Sequence, residues 1–182
     1  MSIKPGTHKL GPEAGTLLVK TGRKGAAAKA GHDLSIEVSA WSATIESDAD
    51  PAHTRLELTA EAGSLRVLEG TGGLQPLGDD DKDNIRQTID DEVLKRTAIA
   101  FRSTGVRSSE DGSRLSVHGE LELFGQARPL AFELDVDSDG RLTGSATVKQ
   151  SDWGMRPYSA LFGALKVADE VIVAIDARVP AS

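Results

Sequence analysis

The chain has 182 residues, 38% hydrophobic and 27% charged, the balance of a globular protein with one sizeable core rather than a disordered one. A formal net charge of −7 argues against nucleic acid as a partner and gives anionic membranes no overall electrostatic hold. The absence of cysteine excludes disulfides, thiolate catalysis and Cys-ligated zinc, and it fits a reducing compartment.

The opening MSIKPGTHKLGPEAG has no apolar h-region, so no secretory signal is read and a cytoplasmic location is expected. TLLVKT (16–21) is the first strand. DLSIEVSAWSATIE (33–46) is a long second one with a change of face: Leu34, Ile36 and Val38 share one parity, Trp41, Ala43 and Ile45 the other. TRLELTAEA (54–62) behaves the same way, Leu56, Leu58 and Ala60 giving way to Leu65 and Val67 across Gly63. A parity flip needs an extra residue, so bulges are expected near Ser39–Ala40 and Ala62–Gly63, the device that curls a sheet into a barrel.

The Gly-rich EGTGGLQPLG (69–78) leads into DDDKDNIRQTIDDEVLK (79–95). Ile85, Ile89 and Val93 recur there at i, i+4, i+8 behind acidic capping residues, which predicts one amphipathic helix closing a mouth of the barrel. TAIAFRSTGVR (97–107), RLSVHGELEL (114–123), LAFELDV (130–136), RLTGSATVK (141–149) and EVIVAIDARV (170–179) return to period two. Asp-Gly turns at 111–112 and 139–140 suit tight hairpins, and Pro129 is placed at a strand start. The tally is about eight antiparallel strands. QSDWGMRPYSALFGALKV (150–167) interrupts the alternation with Trp153, Met155, Tyr158 and Phe162, and reads as a core plug, a lid over a cavity, or both.

Candidate chemistry is sparse. His32 and Asp33 are neighbours in an extended segment, where successive side chains point to opposite faces, so a rim or turn role is favoured over a dyad. Four histidines without H-x-x-x-H or H-E-x-x-H spacing give no metal set. Asp79, Asp81 and Asp83 resemble the start of a calcium loop, but Asn84 stands where the loop needs glycine, and helix-start charge explains them better. Gly70–Gly73 lacks the continuation of a phosphate loop. Neither catalytic residues nor a cofactor are read.

The order of GTLLVKT, a long strand, a helix, TAIAFRST, LSVHGELELFGQARPLAFEL, KQSDWGM and VADEVIVAI resembles the YceI-like family of bacterial lipocalin-like proteins. The hairpin at 118–130, the S-D-W-G segment at 151–154 and the D-E-V entry at 169–171 carry most of this resemblance, which spans roughly 7–179 of a single domain over 1–182. It implies an all-β, eight-stranded antiparallel barrel with the helix between strands three and four, enclosing an apolar tunnel. Relatives are linked to binding isoprenoids or other long amphiphiles without catalytic residues, several being exported and tied to stress responses. Some relatives are paired, which leaves a homodimer open. Phe124 departs from the pattern, since many relatives carry histidine there.

Periodicity and resemblance together nominate a barrel lining of Val19, Leu34, Ile36, Val38, Leu56, Leu58, Phe101, Leu121, Leu123, Phe132, Leu134 and Val173. His32, Trp153, Met155, Tyr158 and Phe162 are nominated for the mouth or lid, where a polar head would sit. The function expected is non-catalytic binding or transport of a long apolar amphiphile: an isoprenoid, an isoprenoid quinone or a fatty-acyl lipid. The alternatives are an enzyme using His32 with Asp33 or Asp152, and a solid barrel acting through its surface.

Overall fold

Alternating apolar and polar residues bury one face of each strand, and here those faces turn inward around a common axis. The computed structural model describes residues 3–180. In chain order the elements are β1 (Gly6–Leu10), β2 (Gly15–Thr21), β3 (Arg23–Lys24), β4 (His32–Val38), β5 (Trp41–Ser47), β6 (Arg55–Ala60), β7 (Leu65–Gly72), α1 (Asp79–Thr88), β8 (Ile99–Ser108), β9 (Arg114–Leu123), β10 (Gln126–Val136), β11 (Arg141–Lys149), β12 (Ser159–Ala160), β13 (Leu165–Val167) and β14 (Glu170–Arg178).

An 11-stranded antiparallel sheet runs β1-β5-β6-β8-β9-β10-β11-β14-β2-β4-β7, and a 3-stranded sheet runs β12-β13-β3. The strand count exceeds the expected eight because three ribbons are bent. β1 and β2 are consecutive halves of one ribbon, as are β4 and β5, and β6 and β7; β1 pairs β5 while β2 pairs β4, and β6 pairs β5 while β7 pairs β4. Counted as ribbons the circuit has eight members and returns to its start through β14 and β2. The helix then falls between the third and fourth.

The bends lie where the parity of buried residues flips. Ile36 and Val38 are buried before Ser39–Ala40, Trp41, Ala43 and Ile45 after it. On the partner ribbon a 3-10 turn at Ala62–Ser64 makes the same correction, and two backbone bonds cross the kink: Ser39 N–H to Ser64 O at 3.0 Å and Glu61 N–H to Ala40 O at 3.0 Å. Adjacent kinks held by hydrogen bonds let the sheet curl without exposing backbone groups.

α1 is capped by Gly78, whose N–H donates to Asp81 Oδ2 at 2.9 Å, with Asp79 and Asp80 completing an acidic first turn. The next turn, Ile89–Val93, widens to a π form before Lys95 and Arg96 end it with φ of 51° and 56°. The helix lies along the free edge of β7, where Lys82 Nζ donates to Leu68 O at 3.1 Å.

Pro129 sits inside β10 rather than at its start, opposite Glu120 of β9. β11 pairs β10 only between Glu133 and Val136, so the front half of β10 has a free side where a missing N–H interrupts no ladder. β10 and β11 diverge there, and the segment after β11 fills the gap.

Candidate functional site

The lumen is hollow at one end and packed at the other. Val106, Leu115, Val117 and Val136 are buried toward the end that carries the 109–113 and 137–140 turns. At the opposite end, where β4 begins and β7 ends, a cavity of about 630 Å³ opens. The twelve residues nominated from the sequence, Val19, Leu34, Ile36, Val38, Leu56, Leu58, Phe101, Leu121, Leu123, Phe132, Leu134 and Val173, all stand in its wall. Phe101 and Phe132 pack at 5.2 Å between ring centroids with planes tilted by 57°. Gly119 makes that arrangement possible, because a Cβ there would collide with the Phe101 ring.

Other wall residues were not nominated. Leu17, Leu130, Val171 and Ile175 share parity with chosen neighbours on β2, β10 and β14, and extending the alternation one step would have found them. Ile85, Ile89 and Val93 close the wall on the helix side, so the i, i+4, i+8 stripe faces the cavity. Arg23, Gln150 and Lys166 had no periodic signal, since they lie in short or irregular segments.

Polar groups gather at the mouth. Arg23 lines the cavity; its backbone N–H donates to Asp33 Oδ1 at 3.0 Å, and its guanidinium donates to Gly31 O and lies 3.7 Å from Asp33 Oδ1. His32 also lines the cavity, with Nε2 at 2.7 Å from Gln75 O. Gly72 and Gly73, with φ of 80° and 73°, leave room for the Arg23 guanidinium and the His32 ring; this is the local use of the Gly-rich stretch. Asp33 turns from the wall to Arg23, and Asp152 is exposed outside it, so no His32–carboxylate dyad forms. Lys166 and Asp81 are the other charged residues of the wall.

The 150–167 segment is a plug at its start, where Trp153 and Met155 are buried in the core, and a flap beyond it. Its 3-10 turn Gln150–Trp153 ends at Gly154 with φ of 71°. Ser151 N–H and Oγ–H donate to Asp169 at 2.8 and 2.5 Å, which joins the S-D-W-G and D-E-V segments. That hydrogen-bonded hydroxyl holds the Asp169 carboxyl below its ordinary value. Trp153 is buried behind the wall, its Nε1–H donating to Leu121 O at 2.9 Å. Met155 and Tyr158 reach the cavity, whereas Phe162 projects into solvent. The far strand of the flap, β13, pairs with Arg23–Lys24 of β3.

A family model described as YceI-like domain matches residues 19–179. The chain belongs to the YceI-like family. Its fold is shared by BcnA of Burkholderia cenocepacia, at 18% identity, 88% of this chain and 94% of that one, with a TM-score of 0.60. The YCEI protein of Campylobacter jejuni superposes over 78% of this chain and 81% of its own at 15% identity and a TM-score of 0.53. A polyisoprenoid binding domain from Saccharophagus degradans covers 96% and 99% at 10% identity and a TM-score of 0.50. No curated protein sequence matches this YceI-like chain.

Proposed function

We propose that this YceI-like protein is a non-catalytic carrier of one slender, long-chain amphiphile, an isoprenoid or fatty-acyl lipid, held tail-first in the barrel. The carrying observation is the cavity of about 630 Å³ walled by Leu, Ile, Val and Phe. That volume lies within the range of roughly 300–1,000 Å³ that holds small ligands. Burying about ten methylenes at ~0.8 kcal/mol each gives roughly 8 kcal/mol, micromolar affinity before ordering costs. The similarity to a polyisoprenoid binding domain supports the ligand class.

The charged and polar rim of Arg23, His32 and Lys166 would meet the head group. A catalytic role for His32 has no support in the geometry, because its ring nitrogen is engaged by Gln75 O and its neighbouring carboxylate by Arg23. Extraction of purified protein under denaturing conditions, followed by mass spectrometry and by titration with isoprenoid and fatty-acyl chains, tests the reading. Recovery or uptake of one chain per barrel is expected. A protein that neither carries nor takes up any such chain overturns it.

A further inference from the structure

Among the described residues, the large apolar side chains left in solvent are Leu68, Leu74, Tyr158, Leu161, Phe162 and Ile172, and each belongs to the mouth half of the barrel. The far end presents acidic turns instead, with Asp48 and Asp50, Glu110 and Asp111, Asp137 and Asp139. Exposure is greatest at Phe162, 113%, in the tip of the flap beside Leu161 at 57%, while Leu74 at 80% belongs to the loop that precedes α1. Leu161 and Phe162 have left-handed backbones, φ 50° and 54°, followed by Gly163 at 85°. Two bulky residues in that region are conformationally costly, and the outcome is an aromatic ring held out in water beside the cavity mouth.

The charges around this tip differ from the acidic average of the chain. Lys24, Lys29, Arg156 and Lys166 are exposed on or next to the flap, with Lys24 and Lys166 directly paired across β3 and β13. Asp33 is paired with Arg23, and Asp169, hydrogen-bonded by Ser151, lies within the field of Lys24 and Lys149. Asp152 and Glu170 are the exposed carboxylates at the flap base, so the cations are concentrated toward the tip side of the flap. The acidic first turn of α1 borders the mouth on its other side. An apolar tip backed by cations matches the acyl–headgroup boundary of a bilayer, where aromatic and Leu side chains insert and Lys and Arg stems snorkel to phosphates.

We propose that the Leu161–Phe162 tip is a bilayer-docking element that sets the mouth of the cavity against a membrane containing anionic lipid. The proposal rests on the carrier reading of the cavity: a long apolar guest would then pass between membrane and barrel without crossing water. One Phe and one Leu insert weakly, so the cations supply a second attraction, and docking is reversible and salt-sensitive.

The test is flotation of the full chain with vesicles of phosphatidylcholine alone or mixed with phosphatidylglycerol. Leu161→Asn/Phe162→Asn removes the apolar tip with residues that accept the left-handed backbone, and Lys24→Glu/Lys29→Glu reverses charge away from the wall. Wild type is expected to float with the mixed vesicles and to be released by high salt, and each double variant to bind about tenfold less. Uptake of a fluorescent fatty-acid probe from vesicle-free solution is measured on the same proteins and is expected to be unchanged. Wild type that does not float, or Leu161→Asn/Phe162→Asn that floats as well as wild type, overturns docking. So does a concentration-dependent dimer that this variant abolishes, since the tip would then cover a second copy. Failure of wild type to take up the probe and isoprenoid chains alike overturns the carrier reading instead, and flotation still decides docking.

Discussion

Trp153 donates its indole N–H to the carbonyl of Leu121 across 2.9 Å, so a residue of the flap is fastened to a strand whose side chain lines the cavity. The bond ties the segment that follows β11 to β9, the strand on the other side of β10. Trp153→Phe keeps most of the packing and removes the hydrogen bond to the Leu121 carbonyl, a loss of about 1 kcal/mol. A drop of the unfolding midpoint by about 2–4 °C is expected in a chain of this size, with faster release of bound probe than from wild type. Calorimetry and stopped-flow displacement read the two effects, and unchanged release would show that the Trp153 bond does not restrain the flap.

Filling the lumen should separate fold from binding. Ala146 is in the cavity wall, opposite Val173 on β14. Ala146→Phe projects a ring into existing space, so circular dichroism and thermal stability are expected to stay near wild type while probe uptake falls by about tenfold or more. Uptake equal to wild type would place the guest elsewhere.

Truncations should cost less beside the cavity than at the packed end. Leu115 is 7% exposed and outside the wall; Leu115→Ala should lose about 3 kcal/mol by leaving a void among fixed neighbours. Leu123 is 9% exposed but borders the cavity, so Leu123→Ala enlarges a space already present, and about 1–2 kcal/mol is expected. Urea denaturation of both variants checks the ranking, which a uniformly solid lumen would erase.

The Asp169 anchor predicts an acid response. Its carboxyl is held below the ordinary value of 3.8 chiefly by the Ser151 hydroxyl, so the folded state favours the charged form. The resulting stability is fully present above pH 3.8 and is lost as pH falls through the lower folded value. Asp169→Asn should therefore weaken the flap at neutral pH and flatten this part of the acid profile. Hydrogen exchange of the 150–167 amides on either side of that range measures it; identical profiles for the two proteins would remove the anchor.

The mouth predicts a head-group preference. Arg23→Gln removes a cation from the wall, and affinity for a chain with a carboxylate head should fall about tenfold, while the matching alcohol binds as before. Equal losses for both would mean that Arg23 acts on the shape of the mouth through Asp33 and Gly31.

Much of this arrangement is legible before folding. Period two separates Leu56 and Leu58 from Arg55 and Glu57, and only one face of each ribbon can be buried. The parity flips at Ser39–Ala40 and Ala62–Gly63 coincide with the breaks between β4 and β5 and between β6 and β7, the second a 3-10 turn in place of the expected bulge. The register shifts of the sheet lie instead at Ser35/Ile36 and Ser103/Gly105. The stripe Ile85, Ile89 and Val93 likewise identifies the helix face toward the cavity.

Local pattern determined which residues are apolar on which face, where the ribbons turn and bend, and that a helix interrupts them. It could not determine how far β10 and β11 stay paired, that Trp153 ends behind the wall while Phe162 ends in solvent, or that Arg23 and Lys166 meet at the mouth. Those outcomes depend on contacts between segments far apart in the chain, such as β3 with β13 and Trp153 with Leu121. The hollow itself is of this kind: whether inward side chains touch or leave a space depends on ribbon tilt and stagger around the whole circuit, which no single strand encodes.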